Sequence, residues 1–315
     1  MEIRQLRNFI QIAELGSFSS AARALFIAQP ALSQQVAQLE AELGQPLLVR
    51  RPTGVRLTEQ GEVFYGRAQR VLKELADMGA AVQEVAGTPR GRVALGLPQS
   101  TALQFAMPLL SAARKKFPLV QIEFFDELSA SLLNGLTSGR FDLAVLVDDD
   151  QAALLRSEPL IEETLYLVSR PDLAPTGPAI DLASLAAFPL ALPGCGHGVR
   201  DLVEQSVRQA GTSLPTPCVT ANSMSIMRQA VLDGLAHSVM PWGALPEELR
   251  NGTLKPTPMQ PSLVRRAYLC TARDAVPTAA AEAVRALLRE TVHRRIQAGE
   301  WPGARICQTT APLLP

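Results

Sequence analysis

The chain has 315 residues, 47% of them hydrophobic, with 30 Lys+Arg against 30 Asp+Glu. That length suits about two domains with sizeable cores. A net charge of zero excludes a protein that coats nucleic acid by bulk charge, though not one whose basic residues are gathered at one site, and no apolar run is long enough to span a membrane.

Residues 2–15 read as a first helix, with Ile3, Leu6, Phe9, Ile10 and Ala13 inward and Gly16 closing it. A second helix starts after Gly16, with Ser17 or Ser19 as its N-cap. Its apolar face is Ala21, Ala22 and Leu25, small enough for another helix to cross closely. Gln29-Pro30 opens a third helix, because proline's missing N–H costs nothing in a first turn. Leu32, Val36, Leu39 and Leu43 follow at helical spacing and Gly44 ends the run. The opposite face carries Gln29, Ser33, Gln34 and Gln38. Two helices joined so tightly form a helix-turn-helix, whose second member enters a major groove. Gln reads adenine with two hydrogen bonds, and Ser takes a base edge or a phosphate. Ser19, Gln29, Pro30, Ser33 and Gln34 are therefore the candidates to face DNA. An ordinary helical hairpin with a polar outer face would share the spacing.

Residues 45–57 alternate around Pro52-Thr53-Gly54, two short strands and a turn. In this wing Arg50 and Arg51 reach phosphates and Thr53 sits at the tip. Over residues 1–60 six Arg (4, 7, 23, 50, 51, 56) face five Glu (2, 14, 40, 42, 59), a net of +1. Affinity must then lean on helix N-termini and paired half-sites as well as on charge.

Residues 58–86 form one long helix. Phe64, Ala68, Val71, Leu75, Met78, Val82 and Val85 recur in alternating steps of four and three. That is a coiled-coil seam, and it predicts a dimerisation helix. A helix packed on its own core is the alternative. Gly87-Thr88-Pro89-Arg90-Gly91 breaks both neighbours and reads as a hinge. Beyond it strands and helices alternate: strands at 92–97, 120–125 and 141–147, with helices up to 117 and at 128–138. This order predicts a parallel sheet with helices on its faces. Strands at 163–169 and 189–192 begin a second such unit, with helices at 199–210 and 223–233 and a strand at 236–240. A strand at 264–271 and a helix at 277–296 follow, the helix packing back on the first unit. Residues 299–315 read as irregular, and Trp301 has no place in the pattern.

In open α/β sheets ligands lie beyond the C-terminal ends of strands. Gln99, Ser100 and Thr101 follow the first strand and open a helix. Val147 ends the third strand. Gly194, Cys195, Gly196 and His197 precede another helix, and Asn222-Ser223 cap a third. N–H groups at helix starts suit an anion such as a carboxylate. Plain capping and turn chemistry would use the same residues. Asp148-Asp149-Asp150 reads most simply as a solvated turn. Cys195 and His197 invite comparison with a nucleophile and base, but no third orienting group is identifiable. Cys195, Cys218, Cys270 and Cys307 form no Cys-x-x-Cys pair, and His197, His237 and His293 are scattered. No metal site, catalytic group or cofactor is therefore implied. The N-terminus lacks a signal pattern, which implies a cytoplasmic protein.

Ser20-Ala21-Ala22, Leu25, Gln29-Pro30-Ala31-Leu32-Ser33, Leu39-Glu40, Leu43-Gly44, Leu47-Leu48 and Arg50 resemble the signature of LysR-type transcriptional regulators. Residues 55–61, Val-Arg-Leu-Thr-Glu-Gln-Gly, resemble the same family's wing and its exit. Residues 27–36 and 46–51 look closest to its nitrogen-assimilation-control branch. Ala28 departs from the usual Ser or Thr and Leu48 from the usual Phe; the first change removes a helix cap or a phosphate contact. The resemblance implies an α/β chain with a winged helix-turn-helix (1–58), a linker helix (59–86), a hinge (87–91) and an effector domain (92–315). That domain is of the two-subdomain, periplasmic-binding-protein-like type II kind, with subdomain I at about 92–161 and 266–298 and subdomain II at about 162–265. The implied partners are a dyad-symmetric site on double-stranded DNA, a small-molecule anion or carboxylate between the subdomains, RNA polymerase, and further copies of the chain. Those copies pair through the linker helix into dimers and then tetramers. A regulator without an effector and a cytosolic enzyme using the Cys195/His197 loop are the alternatives.

Overall fold

The computed structural model describes residues 1–52, 54–83, 88–147 and 154–307. Thr53, Val85, Gly87, the Asp148–Asp150 run and the tail from residue 308 lie outside the described residues.

The N-terminal unit packs three helices, α1 (Ile3–Leu15), α2 (Phe18–Leu25) and α3 (Gln29–Leu43), beside a hairpin of β1 (Leu48–Arg51) and β2 (Gly54–Leu57). Gly16 and Gly44 end α1 and α3 in the left-handed conformation. Of the two serines that could cap α2 it is Ser17 that does, its hydroxyl accepting from the Ser20 N–H; Ser19 lies exposed on the helix. Ile12, Phe18, Ala21, Ala22, Leu32 and Val36 close one core. Glu40 ties the hairpin to α3 by accepting from the Leu47 and Leu48 N–H groups at 2.7 and 3.0 Å. Gly54 (φ 128°) is required, because a Cβ there would sit 2.5 Å from the Gly16 carbonyl oxygen.

The long helix α4 (Glu59–Gln83) starts at Thr58, whose Oγ1 accepts from the Gly61 N–H and donates to the Pro46 carbonyl. The apolar seam divides. Phe64 stacks edge-on against Phe9 at 5.1 Å and Ala68 is buried, so the first part of the seam packs on the chain's own N-terminal unit. Val71 and Met78 further along are 47% and 56% exposed. Lys73 fixes α4 to the C-terminal half: its Nζ lies 2.5 Å from Asp142 and 2.6 Å from Asp77. Burial opposes charge on Lys73, but the two carboxylates outweigh it and raise its pKa overall.

The C-terminal half holds two α/β units. The first contains β3 (Gly91–Leu97), α5 (Gln99–Lys116), β4 (Val120–Asp126), α6 (Ser129–Thr137) and β5 (Leu143–Val147). A long strand β6 (Leu155–Ser169) then runs into the second unit. That unit contains β7 (Ile180–Asp181), β8 (Leu190–Leu192), α7 (Gly198–Gln209), β9 (Val219–Thr220), α8 (Met224–Leu232), β10 (His237–Pro241), α9 (Pro246–Asn251), β11 (Lys255–Thr257) and β12 (Met259–Gln260). The chain returns through β13 (Val264–Ala272) to α10 (Ala279–Gln297) and β14 (Ala304–Ile306). Strand order is β4-β3-β5-β13-β6-β10-β8-β9.

The parallel order expected of the first unit holds for its three strands, while that expected of the second fails at β6, and the whole sheet is mixed. β3, β4 and β5 are parallel, and so are β8, β9 and β10, but β13 runs antiparallel to β5 and to β6, and β10 antiparallel to β6. The reason is connectivity: β6 and β13 carry the chain out of the first unit and back, so they travel in opposite directions. The expectation of an irregular stretch from residue 299 is also corrected. Residues 304–306 pair with β6, anchored by Trp301, which is 2% exposed in the first unit's core. α10 packs into that same core through Val284, Leu288 and Val292.

Candidate functional site

Two places carry candidate chemistry. The first is the start of α3. Gln29, Pro30 and Gln34 are exposed, while Leu32, Val36 and Leu39 on the other face are buried. Ala28 gives α3 no side-chain cap, so its first N–H groups stay available to an anion. Ser33 is half-buried and accepts a 2.5 Å hydrogen bond from Arg50 Nη2. The Arg50 guanidinium also stands 4.5 Å over the Phe18 ring. Arg50 thus braces wing against helix, whereas Arg51 is exposed, with no such contact among the described residues. The reading of Thr53 as the wing tip falls outside the described residues. Sequence reasoning passed over Phe26, which caps α2 in the left-handed conformation (φ 55°) with its ring 94% exposed just ahead of α3. The signal available was an aromatic residue at a helix-to-helix turn.

The second place is a cleft between the two α/β units. Its lining includes Gln99, Ser100, Val147, His197 and Asn222 from the sequence expectation. Thr101, Gly194, Cys195, Gly196 and Ser223 are outside that lining. Thr101 is fully buried, with its hydroxyl unpartnered among the described residues. Ser223 spends its hydroxyl capping α8 on the Ile226 N–H. Gly194 is the backbone partner that orients Asn222, donating to Asn222 Oδ1 at 2.9 Å. Cys195 is exposed, and no disulfide joins the four cysteines. His197 caps α7, its Nδ1 accepting from the Val199 N–H. Burial first, then the charge of Arg265, hold its imidazole below the ordinary pKa.

The residue that sequence reasoning missed is Arg265. It stands in register with Glu163 on the two strands that pass between the units. Arg265 Nε lies 2.9 Å and Nη2 2.5 Å from Glu163 Oε2, and Nη2 also donates to Ser100 Oγ at 2.8 Å. Glu163 Oε1 accepts from the Trp301 indole N–H at 3.1 Å. Arg265 and Glu163 are 3% and 1% exposed. A charge pair so deep is held because both carboxylate oxygens and two of the three guanidinium nitrogens find partners. The visible signal was an adjacent Glu162-Glu163 on one strand and Arg265-Arg266 on the other, but nothing in the sequence joined them.

Residues 3–62 match the family described as bacterial regulatory helix-turn-helix protein, lysR family, and residues 86–293 match the LysR substrate binding domain. The chain belongs to the LysR family of transcription regulators. Its LysR relatives include the nitrogen assimilation regulatory protein nac of Klebsiella aerogenes, 36% identical over 78% of this chain and 79% of that one. The Escherichia coli (strain K12) protein of the same name is 34% identical over the same shares, in line with the resemblance to that branch. A probable hydrogen peroxide-inducible genes activator of Streptomyces viridosporus is 32% identical over 92% of this chain and 94% of its own. Among solved structures a full-length OxyR variant from Pseudomonas aeruginosa aligns over 99% of both chains, with a TM-score of 0.70 and 24% identity. Full-length CbnR complexed with its target DNA aligns over 93% of this chain and 99% of that one, with a TM-score of 0.66 and 23% identity. At those identities the likeness is one of fold. This LysR protein is a transcription regulator and not an enzyme, which removes the Cys195/His197 alternative.

Proposed function

We propose that this regulator binds a dyad-symmetric DNA site through Gln29, Pro30 and Gln34, and answers to a small molecule held in the interdomain cleft. Gln29 and Gln34 supply the base readout. Arg51 and the uncapped first turn of α3 supply phosphate contacts that set register without reading sequence. Arg50 and Ser33 act as a unit that holds the wing against the helix. The exposed part of the α4 seam, Val71 and Met78, serves a second copy, giving a dimer whose two heads match two half-sites. Dimers then pair into tetramers, and the assembly works in the cytoplasm beside RNA polymerase. Among the described residues no helix is long and apolar enough to cross a membrane.

The observation that carries the effector half is the cleft itself. It opens between units that β6 and β13 cross, and Arg265 on the return strand lines it. A ligand touching both units shifts their arrangement only if it binds the open and closed forms unequally. The experiment is a small-molecule screen read by thermal shift and by DNase protection of a duplex selected from random sequence. A ligand that raises Tm and changes the protected span, with both effects lost in Ser129→Trp, supports the reading. A library-wide silence in both assays would leave a regulator controlled by its own abundance.

A further inference from the structure

We propose that the cleft is built for a molecule with an apolar body and at most one negative charge, because the cleft's guanidinium, Arg265, already has its charge cancelled by Glu163. This rests on the reading of the cleft as an effector site and names the class of effector.

Among the described residues the lining carries three ionisable side chains, Glu127, His197 and Arg265. Arg265 is neutralised by Glu163 at 2.5 Å, and Trp301 pins the other oxygen of that carboxylate, so Glu163 cannot swing aside to release the guanidinium. Glu127 is paired with Arg140 at 2.6 Å. His197 caps α7 through an unprotonated Nδ1, and burial together with Arg265 disfavours its charged form. The ionisable groups of the lining therefore sum with their partners to no net charge. Asp126, next in the chain to the lining residue Glu127, is linked to Gln99, and burial raises its pKa. It adds no positive field either.

Apart from Gln99, Ser100, Ser129, Asn222 and Ser238 the rest of the wall is apolar. Met224, Met227, Met240, Val147, Val199 and Val239 face the space. Such a wall favours hydrocarbon and leaves a few polar groups to fix orientation. Arg265, the one cation among the described lining residues apart from a protonated His197, and Ser100 at the start of α5 stand together at one end. Arg265 Nη1 has no protein partner among the described residues, and Pro98 gives α5 no side-chain cap. One carboxylate or one amide carbonyl satisfies that end. A second charge at the far end would be buried against methionine and valine without a counter-ion, and burying an uncompensated charge is strongly disfavoured. Inorganic anions lose most of their hydration and gain no apolar contact in return.

The test is isothermal titration of the full-length protein with hexanoate, hexanamide, adipate and sulfate. Hexanoate and hexanamide are expected to bind, with adipate and sulfate weaker by at least about tenfold because each would bury unmatched charge. The binding should vanish in Ser129→Trp, which fills the cleft from the start of α6, or in Leu128→Trp should the first variant not fold. In Glu163→Gln, where Arg265 keeps its charge uncancelled, the preference should move toward adipate. Adipate or sulfate binding as tightly as hexanoate, in a manner lost with the filled cleft, overturns the class while leaving the cleft as the site. Silence from all four probes at millimolar concentration also overturns it. The cleft reading falls separately, if ligands found in the open screen still bind the filled variant.

Discussion

Arg265→Met is the sharpest perturbation of the structural account. The substitution keeps the length and apolar stem of the side chain and removes its charge. Glu163 would then lie buried with one indole N–H as its remaining partner. Removing one member of a buried pair strands the other and costs about 3–5 kcal/mol. At roughly 2–4 °C per kcal/mol for a domain of this size, the melting temperature should fall by about 6–20 °C. Neutralising the stranded carboxylate should restore most of the loss. Glu163→Gln combined with Arg265→Met keeps an acceptor for Trp301 and is expected within about 2 kcal/mol of the wild type. The chain's two tryptophans, Trp242 and Trp301, both lie in the C-terminal half, so tryptophan fluorescence during urea unfolding follows that half alone. A cost below about 1 kcal/mol for Arg265→Met would mean the pair is solvated. A double variant no better than the single would mean the arginine acts through packing. Either result refutes the reasoning.

Val71→Asp and Met78→Asp alter side chains already exposed in the single chain, where surface changes stay within about 0.5 kcal/mol. Sedimentation should nonetheless show monomers, and an unchanged profile would remove the dimer seam. Lys73→Met strands Asp142, whose other contact is the Ala94 N–H, and should speed hydrogen exchange over residues 66–77 as α4 loosens. Equal exchange would mean the ion pair holds nothing. His197 has a folded pKa below its ordinary value, so stability should fall as pH drops through about 6.5, where the unfolded chain takes the proton first, and level off below the folded pKa. His197→Asn keeps an acceptor at the cap and should flatten part of that slope, the remainder belonging to His237 and His293, whose pKa values burial also lowers. A slope identical to the wild type would contradict this.

The helical part of the fold was legible because its signals are local. Leu32, Val36 and Leu39 recur at helical spacing and are buried together, and Gly16 and Gly44 stop helices where they stand. Strand direction is not local. Nothing in the apolar run of β13 says that it pairs antiparallel with both β5 and β6, since alternation is the same in either direction. The seam on α4 was visible as a period, but a period does not name the partner of each residue, and Phe64 turns to Phe9 in the same chain. The cleft divides the same way. Gln99, Ser100 and His197 follow strands, as the fold rule requires, whereas Arg265 meets Glu163 from 102 positions away and Trp301 meets it from 138. Contacts at such separations follow from tertiary packing, which composition and spacing do not encode.

The central claim is that α3 reads bases while the wing holds phosphates. Quantitative DNase protection of a selected duplex and of an unrelated one, by wild type, Gln29→Ala and Arg51→Ala across a salt series, tests it most directly. Gln29→Ala should weaken the selected site by about 1–3 kcal/mol and leave the unrelated duplex unchanged. Arg51→Ala should weaken both alike and reduce the salt dependence. Two variants that lose affinity equally on both duplexes, or a Gln29→Ala chain that protects the selected site as the wild type does, would contradict the account.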